Sequence, residues 1–362
     1  MRLPLIGLYL CTMMAVPLPA DDGGGTGSRF VRADSPEIVY EGRTATGPSG
    51  EVRMGFPGIV IHLRFRGDSL ALRLDAAKDQ EYIDIAVDGA APTRVELSKG
   101  EGLYPLIARG GGEHKAEVVR RTESWQGDLT VLGCVLGAGG VLLQPEPLPA
   151  RKVMFIGDSI TCGEMTDVRP GDPAKDNRMS NASFSYGKLL AQRFNAQCHL
   201  VSCGGRGMTR DWQGIGTGEN APQFYGLALP DNPQLPWDPR KYVPDAIGIC
   251  LGQNDFNSGI PDQAHFVDTY VRFVEGICRD APKAHIVLLT SPMMKDWPDQ
   301  IPAKAVLYGY LQQVVAKVGS SLVTAHDLGY QPGRPGNGHP TGPQHIAMAD
   351  ELEPVFRQAL GW

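Results

Sequence analysis

The hydrophobic pattern of the chain changes once, near Gln144. From Phe30 to about Leu143 apolar residues recur at every second position. Ile59, Ile61, Leu63 and Phe65 alternate with Val60, His62 and Arg64, and Leu70, Leu72 and Leu74 alternate with smaller or charged residues. Ile83, Ile85 and Val87 repeat the pattern before an Asp88-Gly89 turn signal, and further short strands are predicted at Arg94–Leu97, Lys115–Arg121 and Leu129–Leu136. A period of two buries one face of a strand and leaves the other to water. Many such runs, broken by glycines and without a helical stretch, predict an antiparallel β-sandwich of the jelly-roll kind over residues 30–145.

The segment Q-P-E-P-L-P-A (Gln144–Ala150) reads as a linker, because its prolines cannot donate to a ladder. Beyond it, over residues 151–362, strand-like and helical runs alternate. Strands are predicted at Lys152–Ile156, Gln197–Ser202, Asp245–Leu251, His285–Thr290 and Leu322–Ala325, and helices at Phe184–Phe194, Ala264–Arg279, Ala303–Val318 and Gln344–Leu360. In the second helix Phe266, Tyr270, Phe273, Val274 and Ile277 share one face. Such alternation predicts a three-layer α/β/α domain around a mainly parallel sheet, whose ligands belong at the carboxyl edge of the strands.

The chain has 362 residues, 42% hydrophobic and 20% charged, which suits two globular domains. A net charge of −6, without a Lys/Arg cluster, argues against a nucleic-acid partner. Residues 1–20 read as a secretory signal: Arg2 is the positive start, Leu3 to Val16 the apolar stretch, and Leu18-Pro19-Ala20 a cleavage site. The apolar stretch is shorter than the roughly 20 residues of a membrane span, so no span is expected after cleavage. Residues 21–29 follow as a flexible leader, and the expected location is secreted or periplasmic. Of seven cysteines, Cys11 falls in the signal. Cys134, Cys162, Cys198, Cys203, Cys250 and Cys278 form no C-x-x-C pair, so structural zinc is not expected and buried free thiols are.

Ser159 stands on a Gly-Asp-Ser turn after the first strand of the second half, in F-I-G-D-S-I-T-C-G. A helix starting there would aim backbone N–H groups at developing negative charge. A serine nucleophile needs a base. Of eight histidines, His339 sits in a polar loop just before a helix, with Pro340 behind it. Gly204 in S-C-G-G-R-G, Asn254 in L-G-Q-N-D and His339 in G-H-P-T complete four blocks whose order and spacing resemble the SGNH (GDSL-type) hydrolases. That resemblance implies Ser159 as nucleophile and His339 as base. It implies an oxyanion hole made of the N–H groups of Ser159 and Gly204 and the side-chain amide of Asn254, with Gly205 adjacent. The family's D-x-x-H-P pattern is broken, because Gly336 stands where an Asp orients the imidazole. A backbone carbonyl, Asn337 or the more distant Asp327 must hold Nδ1–H instead; the expectation is a Ser–His dyad steered by a main-chain oxygen. Asp158 is expected to bond turn N–H groups and Cys162 to pack. Arg206 and Trp297 are candidate substrate-binding residues, Trp297 because an indole stacks on a sugar face.

A jelly roll preceding an SGNH module in an exported chain resembles carbohydrate esterase family two. The resemblance implies a Ser–His carboxylic ester hydrolase that removes acetyl groups from xylan or glucomannan, with acetylated polysaccharide or oligosaccharide as its partner and neither metal nor organic cofactor. An SGNH lipase or thioesterase, and a non-catalytic glycan-binding protein, are the alternatives. The polar segment 163–183 and the intact Ser159, Gly204, Asn254 and His339 speak against them.

Overall fold

Period-two alternation in the first half closes into two six-stranded antiparallel sheets packed face to face in the computed structural model, which describes residues 27–107, 110–169, 171–173, 176–296 and 302–362. The signal-like stretch 1–20, the leader up to residue 26, and Trp297 lie outside the described residues. One sheet runs Ala45–Thr46, Val52–Met54, Leu129–Leu136, Ser69–Ala76, Gly100–Ile107, with Arg29–Arg32 also paired to Leu129–Leu136. The other runs Val141–Leu143, Val60–Arg66, Glu113–Arg120, Glu81–Val87, Thr93–Leu97, with Val39–Glu41 against Val60–Arg66. Ile61, Leu63 and Phe65 from one sheet and Leu70, Leu72 and Leu74 from the other point inward and are fully buried, as their alternation requires. Each predicted strand of this half is present. Arg29–Arg32, Val39–Glu41, Ala45–Thr46, Val52–Met54 and Val141–Leu143 were not foreseen; each has four residues or fewer, too short for alternation to register. The longer Gly100–Ile107 was hidden by Gly100, Gly102 and Pro105.

The second half is a five-stranded parallel sheet. In space its order is Ala196–Ser202, Arg151–Gly157, Ala246–Cys250, His285–Leu289, Val323–His326. Strand one thus lies between strands two and three, which creates a topological switch point at its carboxyl end. Helices Tyr186–Phe194, Gln263–Asp280, Ala303–Val318 and Gly342–Leu360 cover the faces, each within two residues of its predicted bounds at either end. Val153, Phe155 and Ile156 are fully buried, as a strand covered on both faces must be. All six described cysteines are free; five are buried and Cys278 is partly exposed.

Charged groups from the sandwich are buried against the parallel-sheet half. Glu41 Oε1 accepts from Lys188 Nζ at 3.2 Å and from the Cys198 N–H at 2.8 Å. Arg43, fully buried, donates to the Tyr225 and Leu227 carbonyls and lies over the rings of Phe56, Tyr225 and Trp237. Arg121 Nη1 donates to Asp84 Oδ1 at 2.7 Å and its Nη2 to Asp167 Oδ2 at 2.8 Å, while Asn181 Nδ2 donates to the other oxygen of Asp84 at 3.0 Å. These bonds fasten the polar segment after Ser159 to the sandwich. Arg121→Ala leaves the buried Asp84 carboxylate without its cation, and should therefore lower unfolding stability by about 3–5 kcal/mol in urea or guanidinium titrations. A loss under about 1 kcal/mol would show that the junction does not depend on this pair.

Candidate active site

The site forms where the loops after three adjacent strands meet. Gly157 is paired to Ser202 on one side and Cys250 on the other, so the turns that follow these residues leave the sheet at one level. Gly157 has no side chain because a Cβ would collide with Thr161 as the chain folds back into the four-residue helix Ser159–Cys162. Asp158 is the N-cap of that helix: its Oδ1 accepts from the Ile160 N–H at 3.0 Å, the turn-bonding role expected of it. Gly163 ends the helix with φ at 82°, a left-handed conformation suited to glycine, and a Cβ there would press on the Asn181 carbonyl. The reversal brings Glu164 back under Ser159, with its N–H on the Ser159 carbonyl at 3.0 Å.

Ser159 Oγ lies 2.8 Å from His339 Nε2 although 180 residues separate them. His339 comes from the loop before helix Gly342–Leu360. That helix is started by a capping box, Thr341 with Gln344, and tied to the nucleophile's own segment by the Gly342 N–H on the Thr166 carbonyl at 2.9 Å. The expectation of a main-chain oxygen behind the imidazole is corrected here. Nδ1 lies 2.7 Å from the side-chain Oδ1 of Asn337, which also accepts the His339 backbone N–H at 3.1 Å. An Asn two residues before the histidine reaches back over its own turn, which a carboxylate at position 336 would have done from one residue further away. Asp327 is engaged elsewhere, accepting from Thr290 Oγ1 at 2.8 Å and pairing with Lys304.

Asn254 Nδ2 donates to the Arg206 carbonyl at 2.8 Å and lies 3.3 Å from Asp158 Oδ2. Gly204 also stands beside Ser159, but its N–H is not open to an oxyanion: it donates to Glu123 Oε2 at 2.6 Å. Gly205 lines the same cleft with φ at 75°, and a Cβ there would meet the Trp212 ring at 2.8 Å; among the described residues its N–H has no acceptor. Arg206 lines the cleft and makes no ion pair among the described residues. Asp255 fixes the wall by accepting the N–H groups of Met208, Thr209 and Arg210.

Sequence reasoning missed two acids. Glu123 comes from the sandwich, and its Oε2 also accepts from Cys162 Sγ–H at 3.2 Å, so Cys162 does more than pack. Burial first, and then the negative charge of Glu164, raise the Glu123 carboxyl above its usual range to about 7. Glu164 places Oε2 3.5 Å from His339 Nε2. Glu164 was readable as a charge five positions after the nucleophile; Glu123 carried no signal, being one acid in R-R-T-E-S-W. Two exposed aromatics, Trp125 and Trp212 (40% and 54% exposed), stand with Met293 around the cleft, whose volume is about 570 Å³. Among the described residues no group of three or more His, Cys, Asp or Glu stands so as to hold a metal ion.

Residues 40–146 match the family described as Carbohydrate esterase 2 N-terminal, and residues 155–345 match the GDSL-like Lipase/Acylhydrolase family. The chain is 35% identical over 334 residues to an acetylxylan esterase / glucomannan deacetylase of Cellvibrio japonicus, a match covering 92% of this chain and 91% of that protein. The solved structure of a family two carbohydrate esterase from Cellvibrio japonicus superimposes with a TM-score of 0.88 at 35% identity, over 93% of this chain and 99% of that one. A family two carbohydrate esterase from Clostridium thermocellum, solved in complex with cellohexaose, gives a TM-score of 0.81 at 26% identity, over 90% of this chain and 99% of the other.

Proposed function

The chain belongs to carbohydrate esterase family two and is a carboxylic ester hydrolase, and we propose that outside the cytoplasm it removes acetyl groups from hemicellulose, xylan or glucomannan, through an acyl-enzyme on Ser159. The observation that carries this reading is the 2.8 Å contact between Ser159 Oγ and His339 Nε2 on the floor of a cleft flanked by two exposed indoles. The named activity of the Cellvibrio japonicus relative supports the substrate class, and residues 1–20 support export.

In the first half-reaction Ser159 Oγ attacks the acetyl carbonyl carbon while its proton passes to His339 Nε2. Asn337 Oδ1 holds the other ring nitrogen protonated, so that Nε2 carries the lone pair. The carbonyl oxygen becomes an oxyanion beside the Ser159 N–H, the Gly205 N–H and the Asn254 amide, which can exchange its long contact with Asp158 for a shorter one to that charge. Collapse breaks the bond to the sugar oxygen, which takes the proton from Nε2 and leaves, with the acetyl group on Ser159. Water then gives its proton to Nε2 and attacks the acetyl carbon; the second collapse returns that proton to Oγ and releases acetate. Trp212 and Trp125 offer faces on which pyranose C–H groups can stack, the role the sequence had suggested for Trp297.

Ser159→Ala should abolish release of p-nitrophenol from p-nitrophenyl acetate with the melting temperature unchanged; substantial residual activity would remove Ser159 from the nucleophile's role. Loss of the imidazole's anchor in Asn337→Ala should lower kcat about 10²-fold, the scale of misplacing a catalytic group by an ångström, whereas Asp327→Ala should stay near the native rate. The reverse ranking would put the orienting group at Asp327. Acetyl esters should turn over faster than octanoyl esters, and Trp212→Ala should raise KM on acetylated xylan or glucomannan by an amount worth about 1 kcal/mol, with little effect on p-nitrophenyl acetate. Faster turnover of octanoyl esters would point to a lipase or thioesterase instead.

A further inference from the structure

The proton acceptor of the site meets a buried acid on its substrate side. His339 becomes an imidazolium each time Ser159 or water is deprotonated, and the positive charge then formed needs an anion close by. Behind the ring, at Nδ1, stands the neutral amide oxygen of Asn337. In front, at 3.5 Å from Nε2, stands Glu164 Oε2, on a side chain 7% exposed. The position of Glu164 is built into the nucleophile's turn. Left-handed Gly163 reverses the chain and the Glu164 N–H is bonded to the Ser159 carbonyl, so Ser159 and Glu164 move as one unit.

We propose that Glu164 is the counter-ion of the His339 imidazolium, supplying from the Nε2 side the stabilisation that a triad Asp supplies from the Nδ1 side. The inference rests on the Ser159–His339 reading above. Among the described residues, the charged and titratable groups around Glu164 are Glu123 from the sandwich, Asp158 and Cys162 on the nucleophile's turn, His339, and Arg206 and Asp211 lining the same cleft. Two of them are carboxyls that Glu164 itself influences. Glu123 and Asp158 are fully buried, and burial, with Glu164's own negative charge contributing to both, raises their carboxyls. Glu164 stands beside the one cationic group the reaction creates. At 3.5 Å, with the Glu164 side chain 7% exposed, a carboxylate charge there favours the protonated imidazole.

The test is the pH profile of kcat/KM on p-nitrophenyl acetate for the full chain and for Glu164→Gln. A carboxylate beside the imidazole raises its pKa, and the free enzyme is active only once His339 is neutral. Removing the charge should therefore move the acid limb about one unit or more to lower pH. The plateau kcat should fall about tenfold or more, because the transition state loses its anion. Glu164→Asp, which keeps the charge, should recover part of both. A limb that stays in place in Glu164→Gln, whatever happens to the plateau, overturns the proposal, since a merely structural role changes rate without moving this limb. Should Glu164→Gln fail to fold, Ser159→Ala with native Glu164 serves: the His339 imidazole, followed by NMR, should titrate above the ordinary ~6.5, and a midpoint at or below it overturns the proposal. An inactive native chain, or an active Ser159→Ala, would strike the serine mechanism itself; an active native chain with an unmoved limb strikes Glu164 alone.

Discussion

The site depends on a register. Arg151–Gly157 is hydrogen-bonded along both edges, to Ala196–Ser202 and to Ala246–Cys250, and parallel pairing admits no slippage between buried strands without turning their side chains over. Because Gly157 is level with Ser202 and Cys250, the residues that leave the three strands arrive together: Ser159 from the first, Gly204 and Gly205 from the second, Asn254 from the third. The histidine reaches them by another route, from a loop before the last helix. The Gly342 N–H on the Thr166 carbonyl ties that loop to the segment following the nucleophile.

Around this frame the chemistry is set by burial of acids whose hydrogen bonds come mainly from backbone. Asp158 bonds the Ile160 N–H, Asp255 the three N–H groups of residues 208–210, and Glu123 the N–H of Gly204. Each acid shapes a loop by collecting donors that would otherwise be unsatisfied. The third case crosses from one half of the chain to the other. A residue of the sandwich takes the N–H that a reading of the second half alone assigns to the oxyanion. The sandwich thereby forms part of the cleft, with Glu123 below it and Trp125 on its rim.

How far all this was legible follows from the range of the interactions. Long, periodic elements such as Ala303–Val318 and Leu129–Leu136 were readable to the residue, because their pattern is local. The two- to four-residue strands were not, since nothing in Ala45–Thr46 distinguishes a rung from a loop. Ser159 and His339 were readable through the blocks that carry them, although they meet across 180 residues. The group behind His339 was narrowed to a few atoms and settled only by the conformation of Pro335 to Pro340, which brings Asn337 Oδ1 to Nδ1. Glu123 was out of reach, because an acid in R-R-T-E-S-W reads as surface until the fold buries it against Gly204.

The junction also bears on how such a gene can be rearranged. Lys188, fully enclosed, finds its carboxylate on Glu41, and the carbonyls of Tyr225 and Leu227 find their donor on Arg43. A descendant that kept residues 151–362 and lost the rest would carry a buried ammonium group and a set of backbone oxygens without the partners they have here. A breakpoint at the proline-rich linker, the place where sequence alone would cut, separates each of these groups from its partner.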